Sequence, residues 1–113
     1  MNMSDDKNRL EHMLESAREA VIFLGLKKEQ ELLNDRMAFN AIVHSIEIVG
    51  EAAAQISQNY RNEHPEIPWA QIIGMRNRLV HAYFDIDYRF VYSTVRVDFP
   101  ILINQISLLL QNF

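Results

Sequence analysis

At 113 residues, 49% of them hydrophobic, the chain holds enough apolar material for one core and too little for two, so a single domain over residues 1–113 is expected. The lack of cysteine excludes disulfides, Cys-ligated zinc, iron–sulfur clusters and thiol nucleophiles. A net charge of -4 argues against a general phosphate-backbone binder. It leaves room for a local basic site: Arg76, Arg78 and Arg89 fall in one stretch, with Asp85 and Asp87 between the last two.

The apolar residues recur at three- and four-residue intervals, the helical period. The polar, acidic start Met1–Lys7 is unlike a secretory signal, and the tract from Ile101 to Leu110 is broken by Asn104, Gln105 and Ser107, so a cytoplasmic protein without a membrane span is expected. A first helix is predicted from about Asp5 to Leu24, with Ser4 or Asp5 as N-cap, a stripe of Leu10, Met13, Leu14, Ala17, Val21 and Leu24, and Gly25 as its stop. A long second helix from Lys28 to Ser57, bending near Asn34-Asp35, would put Ala38, Ile42, Ile46, Val49, Ala53 and Ile56 inward and His44, Glu47, Glu51 and Gln55 on the other side. The polar stretch from Asn59 to Pro68, with two prolines, reads as the main loop. Pro68 suits the first position of a third helix running from Trp69 to about Tyr83. After a turn at Asp85-Ile86-Asp87, a fourth helix starts near Tyr88, places Val91, Val95, Leu102, Ile106 and Leu109 on one face, and is kinked or divided by Pro100. The fold class that follows is all-α, an antiparallel bundle of four to five helices.

The third helix carries the anomaly. At about 100° per residue, Ile72 and Leu79 flank Arg76 on one side, and Ile73 and Val80 on the other, so Arg76 falls mid-stripe and calls for a carboxylate, a helix C-terminus, a subunit partner or a bound phosphate. His81 lies about 140° away, one turn beyond Asn77, so Arg76 and His81 converge only through a bend, a long side-chain reach or a second subunit. Histidine and arginine together permit metal-free phosphodiester cleavage: His81 would exchange protons with the 2′-hydroxyl or the leaving 5′-oxygen, Arg76 would hold the phosphoryl oxygens, and Asn77 would orient either. Each residue also has a plain structural role open to it. His81 fits a helix end, Arg76 an ion pair with a second-helix glutamate such as Glu47, Tyr83 the bundle rim, and Arg78 the solvated surface. His44 and Glu47 are one turn apart and could ligate a metal, but the chain has only four histidines and His12 and His64 show no complementary spacing, so no metal or cofactor is expected.

The string Arg76-Asn77-Arg78-Leu79-Val80-His81-Ala82-Tyr83 resembles the Arg-polar-x-x-x-His motif of HEPN ribonucleases and the His-x-Tyr ending of their HepT-like branch. The resemblance extends over Ser45–Ala53, Ile67-Pro68-Trp69 and Asp85-Ile86-Asp87-Tyr88. It implies a HEPN-like bundle and an RNA-cleaving toxin. Arg76, Asn77 and His81 would be catalytic, Arg78 a candidate RNA contact and Glu47 a candidate supporting acid. It further implies a homodimer, or an oligomer of dimers, with both motifs facing one cleft. The implied partner is a minimal nucleotidyltransferase antitoxin that attaches AMP to Tyr83, where bulk and negative charge would obstruct RNA. The other reading is a non-catalytic HEPN module that binds a nucleotide or a nucleotidyltransferase, which the net acidity favours.

Overall fold

A computed structural model describes the backbone of residues 3–81 and 87–113 and the side chains of residues 5–79 and 87–113. It is helical, with no strand among the described residues: α1 (Met3–Leu24), α2 (Glu29–Leu33), α3 (Arg36–Ala54), α4 (Gln58–Glu63), α5 (Trp69–His81), α6 (Tyr88–Ser93) and α7 (Phe99–Leu110). The all-α bundle expected from the sequence is present. Its long members are α1, α3, α5 and the α6–α7 rod, with α2 and α4 as short additions.

The core follows the helical stripes. Leu10, Met13, Ala17 and Leu24 of α1 pack with Ile42, Ile46, Val49 and Ala53 of α3 and with Val91, Val95, Leu102, Ile106 and Leu109, all of them buried. Leu14, Val21 and Ala38 are only partly buried at its margin. Gly25 ends α1 with φ +54, a left-handed conformation that suits glycine, while its N–H donates to Val21 O at 2.9 Å. Arg96 then donates to Gly25 O at 3.0 Å and Lys27 O at 2.7 Å, tying the C-terminal end of α1 to the α6–α7 rod.

At the other end of α1, the buried carboxylate of Asp6 accepts from the Ser57 N–H at 2.8 Å and from the Ser57 hydroxyl at 2.7 Å. Helix α1 is thereby antiparallel to both α3 and α7. Full satisfaction of both oxygens is what lets this acid be buried.

Four local expectations are corrected. Helix α1 begins at Met3, so Ser4 and Asp5 lie inside it rather than capping it. The long second helix is two, because the Asp35 carboxylate accepts from Ala38 N–H at 3.0 Å and starts α3 afresh after Asn34. The expected loop contains α4, capped by the Ser57 hydroxyl on Tyr60 N–H. Pro68 stands one residue before α5, its carbonyl accepting from Ile72 N–H at 3.0 Å, and so takes the cap position.

Pro100 is accommodated without a break. A π-helical turn, Thr94–Asp98, widens the rod just ahead of it, with the Phe99 N–H reaching back to Thr94 O. A proline lacks the donor for the carbonyl one turn earlier and crowds it, and the wider turn relieves both problems.

Candidate active site

Helix α5 is anchored at its start and along its inner face. The Trp69 indole N–H donates to His64 O at 2.9 Å, and Ile67 and Trp69 are buried. Beyond them Ile72, Met75 and Leu79 form the buried stripe. This helix lies unusually close to α3 at Gly50: a Cβ there would stand 3.1 Å from both the Arg76 Cβ and the Ile72 carbonyl oxygen. Glycine permits the approach, and the approach presses the base of Arg76 onto α3.

The buried stripe is therefore centred to one side of Arg76. This corrects the mid-stripe placement: Arg76 is exposed, with its Cβ on the helix seam and its guanidinium outside. The wheel supplied the right angles but placed the centre of the stripe about 60° off. Among the described residues Arg76 has no ion-pair partner, so the structural pairing with Glu47 is not formed; Glu47 is half-buried and Glu51 exposed. Five donors thus stay available to a ligand.

Asn77 and Arg78 are exposed on the next positions. Arg78 is no free surface arginine. Its guanidinium lies 3.8 Å above the Phe90 ring and 3.6 Å from Asp87 Oδ2. Asp87 also caps α6, accepting through Oδ1 from Arg89 N–H at 2.9 Å and Phe90 N–H at 3.4 Å. One carboxylate therefore links α5 to the start of α6 across residues 82–86. The pairing is exposed and weak as a stability element, but it sets where Arg78 sits.

The backbone of α5 remains helical through His81, so the motif contains no break between Arg76 and His81. The His81 side chain and the whole of Tyr83 lie outside the described residues, as do Asp85 and Ile86 of the expected turn. His44 is exposed, and among the described residues no three His, Asp or Glu side chains converge in the manner of a metal site. No helix of the described residues is long and apolar enough to cross a membrane.

The family model of HepT-like ribonucleases matches residues 7–109. The chain belongs to the HepT-like family of HEPN ribonucleases. A putative RNase of Methanocaldococcus jannaschii is 36% identical over 100 residues, covering 88% of this chain and 92% of that protein. A putative RNase of Caldanaerobacter subterraneus subsp. tengcongensis is 31% identical over 109 residues, covering 96% and 97%. A probable ribonuclease HepT of Thermococcus cleftensis is 40% identical over 73 residues, covering 65% and 66%. No solved structure matches the chain. Within this HepT-like chain, sequence reasoning overlooked Gly50 and the Arg78–Asp87–Phe90 contact. A helix-interior glycine was the available signal for the first, since it weakens a helix unless something needs the space.

Proposed function

We propose that the chain is a metal-independent endoribonuclease, acting as the toxin of a toxin–antitoxin pair. The observation that carries the reading is one helix presenting an exposed Arg76 guanidinium with no ion-pair partner among the described residues, together with Asn77 and a constrained Arg78, within the Arg76–His81 motif. RNA contains its own nucleophile. His81 takes the 2′-hydroxyl proton, the 2′-oxygen attacks phosphorus, and the bond to the 5′-oxygen breaks, leaving a 2′,3′-cyclic phosphate and a 5′-oxygen that takes a proton from His81 or from water to become a 5′-hydroxyl. Arg76 holds the phosphoryl oxygens as charge builds on them, and Asn77 orients the phosphate or His81.

Positions five apart on an unbroken helix are separated by about 140°. That separation supports a homodimer in which Arg76 of one copy and His81 of the other meet in a shared cleft. The partner in this scheme is a minimal nucleotidyltransferase that silences the cytoplasmic enzyme by placing AMP on Tyr83.

The purified protein is expected to cleave RNA in the presence of a chelator and to leave cyclic or 3′-phosphate ends. Arg76→Ala and His81→Ala should each lower the rate by about 10²–10⁴-fold. Full activity in both variants would remove the motif from the chemistry, and RNA or nucleotide binding without turnover by the wild type would establish the non-catalytic module instead. With the transferase and ATP present, intact-mass measurement should show added AMP on the wild type and none on Tyr83→Phe. Equal addition to both would refute the Tyr83 assignment.

A further inference from the structure

A second cationic position lies off the motif. Arg61 of α4 is half-buried, and among the described residues nothing accepts from its guanidinium; its Nε is fully buried with no hydrogen-bond partner. It lines an open cleft of about 580 Å³ together with Gln58, Asn62, Trp69, Ala70 and Gln71. The Asn62 side-chain oxygen is already engaged by Gln58 at 2.9 Å. The acid of the same helix, Glu63, faces the opposite side, towards Asp6 and Tyr60. A guanidinium that cannot shed its proton and is partly withdrawn from water calls for an anion.

From this cleft a clear path leads to the motif. Ala70 and Gln71 bracket the angular position of Gly74 on the helix wheel, and Asn77 and Arg78 bracket it again one turn later. All five residues are exposed. Gly74 is the flat point between them: a Cβ there would meet nothing within 4 Å among the described residues, so their packing gives no reason for a glycine in mid-helix. Residues 67–84 contain no Asp or Glu in a chain whose net charge is -4. A rise of about 1.5 Å per residue puts Ala70 and Asn77 roughly 10 Å apart, within the span of a few linked nucleotides.

We propose that Arg61 is a phosphate-binding subsite for a single RNA strand that runs along the outer face of α5, over Gly74, to Asn77 and Arg78 of the motif. The subsite rests on the proposed action on RNA. An acidic protein segment would also satisfy Arg61, but a helix that contributes no acid of its own between Arg61 and a phosphate-handling motif favours a polyanionic strand, with Asp98 beside Gln71 and Asp87 beside Arg78 at its margins. The site would bind backbone, not bases, and so would add affinity with little sequence preference.

The test uses full-length protein carrying His81→Ala, which separates binding from cleavage, titrated with a fluorescent uridine dinucleotide and hexanucleotide. The hexanucleotide should bind more tightly, and Arg61→Gln should cut that advantage about tenfold and lower the salt slope by about one. Arg61→Lys should keep the salt slope. Gly74→Gln, on a helix surface with room for a side chain, should also erode the hexanucleotide's advantage. An undiminished advantage and salt slope in Arg61→Gln would overturn the proposal. So would a change in sedimentation mass in either variant with RNA affinity intact, which would give this face to a second protein chain. Arg61-dependent binding in a protein that never cleaves RNA would sustain the subsite while refuting the nuclease reading; cleavage with Arg61-independent binding would do the reverse.

Discussion

The two faces of α5 each involve a glycine, Gly50 of the neighbouring α3 on one and its own Gly74 on the other, and they differ in what occupies the space. On the inner side, α3 contributes Gly50, and the missing side chain is filled by Arg76 Cβ and the Ile72 carbonyl at 3.1 Å. On the outer side, Gly74 opens onto nothing within 4 Å among the described residues. The first glycine is explained by folding, whereas the second costs helix stability with no packing return among the described residues. Close packing on one face thus holds the helix in place, while the other face is left smooth beside the candidate residues Asn77 and Arg78. Helix α4 repeats the contrast on a smaller scale: Tyr60 and Glu63 face the acid Asp6, and Arg61 faces the open cleft.

Substitution should break this contrast most sharply at Gly50. Gly50→Val places branched carbon against backbone and should cost about 1–3 kcal/mol by overpacking, read as a lowered midpoint in denaturant titration. The opposite sign is expected at Gly74, where Gly74→Ala should stabilise by about 0.5–1 kcal/mol in the same titration. A loss of stability there would mean that the outer face is not open.

The smallest effect concerns α4. Burial, followed by the charges of Asp6, Glu66 and Glu63, pushes the Tyr60 phenol from 10.0 up to about 12. The folded state therefore holds that proton more tightly than the unfolded state. This contribution to stability is fully present below pH 10 and is lost as pH rises from about 10 to about 12. Melting curves across that window should fall less steeply for Tyr60→Phe than for wild type, and identical slopes would show that the phenol is not perturbed.

Much of the fold was legible because helical periodicity and capping are local. The stripes of α1 and α3, the stop at Gly25, the start at Tyr88 and the all-α class all follow from residues within a few positions of one another. The break at Asp35 and the short α4 were missed although their caps, Asp35 and Ser57, were visible, because the hydrophobic period around them suggested continuity and the prolines suggested a loop. In the candidate site, the motif was legible as a string and as angles on a wheel. Its orientation was not, since a wheel ranks residues around a helix without saying which angle meets a neighbour.

The sequence by itself determined that this protein is a one-core helical chain whose acid-poor segment bears Arg76, Asn77, Arg78 and His81. Only the tertiary structure decided that Arg76 faces outward over Gly50, that Asp87 holds Arg78 while capping α6, and that Arg61 is left without an acceptor among the described residues. Those outcomes depend on contacts between distant helices, like the Asp6–Ser57 pair at a separation of 51 residues. Distances of that kind are set by how side-chain volumes pack, and no local pattern encodes them.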